Sequence, residues 1–375
     1  MNQNNNPLEI AKQFVDQLYA FRDNYFIDCG NASNVSQPLK SNDSKQIQVN
    51  HKLREVLSRL DELSVAYSEW TASDRALYEL QRGRALNISD KESDGLEAKE
   101  ALSRAVKLRP ELSEAWNQLG EQFRKRGDYS SALNCFESAL KHEMNKISLR
   151  NASMVLRQLG TTPEEKNSNL LKSVERAKKA LECDVCDGIS WYILGNAYLT
   201  LFFKSQTKRD ESILKLCKAA YLKAYNDEKA TNQTDFLFNY ATVCHFDLDF
   251  ERALNCLQRA ITIDPEWEEP LDKQTGLTAY LKDMCSMIDK LASLKSRRIK
   301  LLIDSLNKDS KLKIYDKKKF VEIKGLEIGT NQSTDLICKE FFACYKTGPV
   351  FQHFCLQMRS FRVIDYIAKV FCVEN

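Results

Sequence analysis

The chain has 375 residues, 43% of them hydrophobic and 29% charged, and a formal net charge of +3. That length exceeds one ordinary compact core and suits an elongated helical array with an appendage. No run approaches 18 apolar residues, and the opening MNQNNNPLEIAKQF has no basic segment followed by an apolar one, so neither a membrane-spanning helix, a signal peptide nor a membrane partner is expected.

Residues 1–70 read as a helical cap. In LEIAKQFVDQLYAFRDNYF, the residues Ile10, Phe14, Leu18 and Phe21 form one apolar stripe, which predicts an amphipathic helix. The polar stretch GNASNVSQPLKSNDS reads as a loop. A second helix follows, with Leu53, Val56, Leu60 and Leu63 on its seam.

Residues 71–306 read as about five helical pairs and closing helices. The first pair carries Gly83 and Leu86, an insertion around DKESDG, then Ala98, Leu102, Ala105 and Pro110. The second is the most regular. Trp116, Leu119, Gly120 and Phe123 fall at i, i+3, i+4 and i+7, Gly127-Asp128 makes a turn, and Ala132, Phe136 and Ala139 mark a second helix. This spacing resembles the tetratricopeptide (TPR) repeat, a helix-turn-helix unit of about 34 residues. A degenerate third pair runs from LRNASMVLRQL to Ala177 and Ala180, with TTPEEKNSN as a long connection. The fourth has Trp191, Leu194, Gly195 and Tyr198, an insertion about FKSQTKRDES, then Cys217, Tyr221 and Ala224. The fifth has Leu237, Tyr240, Ala241, Ala253, Leu257, Ala260 and Pro265, and one or two helices close the array. Residues 307–375 change period: KKFVEIKGLEIG, DLICKEFFACY, QHFCLQM and DYIAKVFC read as four short strands, one fewer than a five-stranded OB barrel needs. The expected fold is mostly α, a TPR helical solenoid with an N-terminal helical cap and a small, incomplete OB-like β domain at the C-terminus. TPR arrays are binding surfaces.

No catalytic constellation stands out. His51, His142, His245 and His353 are scattered, without a Cys, Ser or carboxylate at diagnostic spacing, and no Walker-type or G-x-G-x-x-G motif is present. An enzyme is not expected, and neither is a cofactor. Of the 12 cysteines, Cys135, Cys217, Cys244 and Cys256 lie on helical faces beside apolar neighbours, where free Cys is a good small core residue. Cys183 and Cys186 form a lone C-x-x-C without a second pair or a nearby His, so no zinc site is expected. A reducing compartment fits this usage, in which Asn31, Asn34 and Asn42 of the Asn-x-Ser triplets stay unglycosylated.

In a TPR array the first helix of each pair lines the groove. Asp235 occupies the second position of the fifth pair, Glu269 the same position of the helix that follows, and Arg157 comes directly after core Leu156. Two carboxylates and one guanidinium would suit a short peptide with a basic side chain beside an acidic one. On position alone, solvated surface charges remain the commoner reading of such residues. A second charge feature runs from Lys295 to Lys319, where ten Lys and Arg stand against Asp304, Asp309 and Asp316, a local net of +7. It reads equally as a phosphate-backbone contact or as a solubilising linker. The aromatics Phe341, Phe342, Tyr345 and Phe354 read as core of the β region, with base stacking the less common alternative.

The strings DQLYAFRDNYF, EAWNQLGE, SMVLRQL, SWYILGNAYL and DPEWEEP, in this order, resemble the tetratricopeptide repeat protein five family, across roughly residues 8–306. The family joins a TPR array to a C-terminal OB-fold. The resemblance implies an adaptor that binds the first residues of nascent α- and β-tubulin, Met-Arg-Glu followed by Ile or Cys, near the ribosome exit tunnel. It implies decay of tubulin mRNA through a recruited adaptor and deadenylase, which is tubulin autoregulation. It carries the peptide-binding role onto Arg157, Asp235 and Glu269, and ribosomal RNA phosphate contact onto Lys295 and Arg297. It further implies a cytoplasmic and nuclear protein whose alternative role is a stress-response transcription cofactor that meets transcription coactivators. The Gly-Lys pair that opens an OB strand in the family stands here as Cys338-Lys339. A chaperone co-factor is disfavoured, because its carboxylate-clamp Lys position holds Asn117 in one pair and Tyr192 in another.

Overall fold

The computed structural model describes residues 6–31, 45–66, 70–204 and 211–292. Within them lie 14 helices. The chain divides into two units, Met1–Cys244 with Glu251–Lys273, and His245–Phe250 with Gln274–Asn375. In the second, the rings of His245, Phe250 and Tyr280 meet at 5.8–6.5 Å between centroids. The expected strands of residues 307–375, and the basic stretch with Lys295 and Arg297, lie outside the described residues.

Helices α1 (Pro7–Asn31) and α2 (Lys45–Ala66) build the cap. Ala11, Val15 and Leu18 of α1 close on Val49, Leu53, Val56 and Leu60 of α2 in one buried cluster. The α1 seam is therefore rotated from the expected one. Leu18 is shared, but Phe14 and Phe21 flank the cluster and Ile10 is only half-buried. A small Ala at the centre lets the helix axes approach, and the bulkier rings cover the sides.

The cap continues into α3 (Ala72–Leu86) and α4 (Glu92–Leu108), followed by the pairs α5 (Ser113–Lys125) with α6 (Tyr129–His142), and α7 (Lys146–Leu156) with α8 (Pro163–Cys183). Next come α9 (Gly188–Lys204) with α10 (Glu211–Ala224), a single turn α11 (Glu228–Thr231), α12 (Thr234–Phe246), α13 (Phe250–Ile263) and α14 (Glu268–Ala292). Partners within each pair pack together, and the leading helices also touch in a row, α3 on α5, α5 on α7 and α7 on α9. That row is what a TPR stack requires.

The repeat glycines are set by contact. A Cβ on Gly120 would sit 2.5 Å from the Phe136 ring, one on Gly195 would run into Tyr221, and one on Gly83 into Leu102. The repeat tryptophans clip the turn before them: Trp116 Nε1 donates to the Pro110 carbonyl and Trp191 Nε1 to that of Val185, both at 2.7 Å. Gly127 takes φ +76°, the left-handed turn between α5 and α6. Cys135, Cys217, Cys244 and Cys256 are buried as expected, and Cys183 and Cys186 are exposed.

The expected DKESDG insertion and TTPEEKNSN connection are helical for most of their length instead. Of DKESDG, Glu92 to Gly95 form the first turn of α4, where buried Asp94 pairs with Arg54 of α2 at 2.6 Å. In TTPEEKNSN, Thr162 caps α8 by accepting from Glu165 N, Glu165 returns the bond, and Pro163 opens the helix. Proline at the first helical position is preset for the helix and forfeits no hydrogen bond there. The four-residue α11 was not expected, and the closing segment is one helix through Ala292.

Candidate peptide-binding site

The charged residues singled out by position lie at the end of α7 and in the first turns of α12 and α14. Helix α7 ends at Leu156, which is buried, and Arg157 follows as its C-cap. The Arg157 side chain is half-buried, with Nε shielded from water and no hydrogen-bond partner among the described residues. Burial works against its charge, while the Asp235 carboxylate supports it. An arginine stays protonated even so. The outcome is a half-buried cation with no counter-ion in contact among the described residues.

Tyr192, on α9, is 6% exposed and packs edge-to-face on Phe236 at 5.4 Å. Its hydroxyl donates to a carboxylate oxygen of Asp235, at the start of α12. Burial, then the Asp235 charge, pushes the Tyr192 phenol well above its ordinary range, so it remains a donor. Asp235 itself is exposed, which leaves carboxylate lone pairs open to a ligand. Its charge also acts on Arg124 of α5, which is bonded to Glu121 at 2.5 Å.

A buried floor supports these groups. Fully buried Tyr221 donates to Asn196 Oδ1, which also accepts from Asn239 Nδ2 at 3.2 Å. The Tyr221, Phe236 and Tyr240 rings lie 5.6–5.7 Å apart. Beside this floor, Lys273 of α14 sits 4.2 Å over the Phe238 ring and donates to Thr242 Oγ1, and Phe238 meets Trp267 at 5.1 Å. Burial brings the Lys273 ammonium down to about 8. Glu269, one helical turn before Lys273, is exposed.

Of the residues singled out by position, Arg157 and Asp235 share one neighbourhood through Tyr192. Glu269 stands exposed on the first turn of α14. Lys295 and Arg297 lie outside the described residues. Sequence reading missed the roles of Tyr192, Asn196, Tyr221, Arg124 and Lys273. A signal for Tyr192 did exist. The residue after each repeat tryptophan reaches the first turn of the next leading helix: Asn117 accepts from Ser148 Oγ at 2.9 Å, and Tyr192 bonds Asp235. Among the described residues no group of three or more His, Cys, Asp or Glu could hold a metal ion, and no helix is long and apolar enough to cross a membrane.

The tetratricopeptide repeat family model matches residues 113–146, the α5–α6 pair with the turn into α7. Tetratricopeptide repeat protein 5 of Homo sapiens is 37% identical over 301 residues, 80% of this chain and 64% of the human protein. The Mus musculus protein of the same name matches at the same identity and coverage. The chain thus spans 64% of the length of these curated relatives, less than two thirds. Among solved structures, a thermophilic TPR protein in Thermus thermophilus aligns with 54% of this chain and 99% of its own, at 15% identity and a TM-score of 0.45. The chain thus carries a tetratricopeptide repeat at residues 113–146 and is similar, over 80% of its length, to Tetratricopeptide repeat protein 5.

Proposed function

We propose that this protein is an adaptor that binds the N-terminal peptide Met-Arg-Glu-Ile or Met-Arg-Glu-Cys of nascent tubulin and triggers co-translational decay of tubulin mRNA. The observation that carries the reading is the Arg157–Tyr192–Asp235 cluster. A half-buried guanidinium with an unpartnered Nε lies in the same neighbourhood as an exposed carboxylate. Such a pair complements adjacent acidic and basic side chains on one short peptide. The peptide Glu pairs with Arg157, where a charge-assisted bond satisfies the open donor. The peptide Arg pairs with Asp235 and Glu269. Lys295 and Arg297 contact ribosomal RNA phosphate, which holds the adaptor where the peptide emerges, and a recruited mRNA-decay adaptor follows.

The test is recovery of the protein on ribosomes translating tubulin. Recovery is expected with a nascent Met-Arg-Glu-Ile start and is expected to be lost when the two charged residues are exchanged to Met-Glu-Arg-Ile. Equal recovery with both would sink the assignment. Charge reversal at Lys295 and Arg297 is expected to weaken ribosome co-sedimentation and leave binding of the free peptide unchanged.

A further inference from the structure

An arginine and an aspartate in one neighbourhood, both meant for a ligand, carry a hazard: they can satisfy each other. A direct Arg–carboxylate pair is bidentate and strong where water is scarce. It would leave neither group for a ligand. In this structure that pair is not made. Asp235 takes its hydrogen bond from the Tyr192 hydroxyl, and Arg157 Nε has no partner among the described residues. The tyrosine is held in place, since it is buried and its ring packs on Phe236.

We propose that Tyr192 is a spacer: its hydroxyl holds the Asp235 carboxylate away from Arg157, so that both charges stay available to a ligand. The inference rests on the peptide-binding reading of this site and names the residue that keeps it open. Tyr192 acts through Asp235 and Arg157, as a positioning residue. The phenol suits the task because it is neutral and donates to the carboxylate. Removal of the hydroxyl alone should let the two charges close on each other.

The experiment compares two peptides, Met-Arg-Glu-Ile and Met-Arg-Ala-Ile, by calorimetric titration. Their ratio of dissociation constants reports what Arg157 contributes, and effects on the peptide Arg cancel. For the unaltered protein the ratio should be about tenfold or more, as for a charge-assisted bond. In Tyr192→Phe it should fall toward one. In Tyr192→Phe/Asp235→Asn, where the competing carboxylate is gone, it should recover. A loss of packing would not be repaired by that second change. Asp235→Glu, one methylene longer and with Tyr192 intact, should also collapse the ratio by reaching Arg157 directly, and it serves if Tyr192→Phe does not fold. An unchanged ratio in Tyr192→Phe, or no recovery in the double variant, overturns the spacer. A second readout needs no peptide: the Arg157 Nε–Hε resonance should become protected from exchange in Tyr192→Phe and not in the double variant. If the unaltered protein binds neither peptide, the peptide reading falls while the resonance still decides the spacer.

Discussion

Replacing Arg157 with methionine is expected to stabilise the fold and abolish recognition of an acidic side chain. The guanidinium is half-buried, and its Nε is shielded without a hydrogen-bond partner. A buried donor left unsatisfied costs roughly 1–3 kcal/mol. Exchange of a poorly compensated buried charge for an apolar side chain of similar volume is commonly neutral, or stabilising by about 1–4 kcal/mol. Two effects reduce the gain here. Asp235 already supports the charge, and part of the side chain still meets water. The lower end applies, about 1–2 kcal/mol, or a rise of roughly 0.5–1 M in the urea midpoint for a typical denaturant slope. Circular dichroism against urea measures the first effect, and titration with Met-Arg-Glu-Ile the second. If Arg157→Met lowers stability by more than about 1 kcal/mol, the guanidinium is a structural tie between α7 and its neighbours, and the reasoning fails. A residue that costs stability and yet is required for binding is what a recognition site demands.

Gly120→Ala places a Cβ 2.5 Å from the Phe136 ring, which is fully buried and cannot swing aside, so a loss of about 1–3 kcal/mol is expected in urea melts. Asp187 accepts from Ser190 N at 2.9 Å and pairs with Arg150 at 2.8 Å. Although burial raises its pKa, these partners and Lys146 hold it below the usual carboxylate range. A folded-state pKa below the unfolded one gives stability that is complete at neutral pH and lost as pH falls through the folded value. Asp187→Asn should therefore lower stability by roughly 1–2 kcal/mol at pH 7. The difference should close below about pH 3.9, where the unfolded carboxyl titrates, and a gap unchanged at pH 2.5 would contradict this. Lys273, with its ammonium brought down to about 8, should reach half-maximal labelling by amine reagents at a lower pH than the exposed lysines, as read by peptide mass spectrometry over a pH series. A midpoint no lower than that of exposed Lys178 would refute its desolvation.

The helical array was legible because its landmark residues are dictated by contacts that recur in each pair. Gly120 faces Phe136 and Gly195 faces Tyr221 at the same crossing of leading on following helix. Trp116 and Trp191 repeat one clip on the turn before them. Where local chemistry competed with pattern, pattern misled. DKESDG and TTPEEKNSN look like loops because they are polar, but a helix N-terminus is polar for a physical reason. Its free N–H groups favour acidic residues and Thr–Glu capping, and these segments supply Glu92, Asp94 and the Thr162–Glu165 box. In α1 the seam shifted by one residue because Ala11 carries little weight in a hydrophobic count and much in a close crossing.

The candidate site was half legible, and the missing half has one cause. Periodicity says which face of a helix a residue shares, and that was sufficient to single out Arg157 and Asp235. It says nothing about which group 43 residues away takes the hydrogen bond, and the partner of Asp235 is Tyr192 at that separation. Tyrosine hides well in a helical pattern, because its ring satisfies a core position whether or not its hydroxyl has a task. The buried ring of Tyr221 shows the same ambiguity, since its hydroxyl holds Asn196, which in turn receives Asn239. Tyr192 thus does what the apolar repeat positions cannot. Its ring sits in the shared core while its hydroxyl bonds the exposed Asp235 carboxylate. A repeat array is built from interchangeable units, so specificity has to come from residues that break the equivalence. Tyr192, at the position where the regular repeat has Asn117, is such a residue.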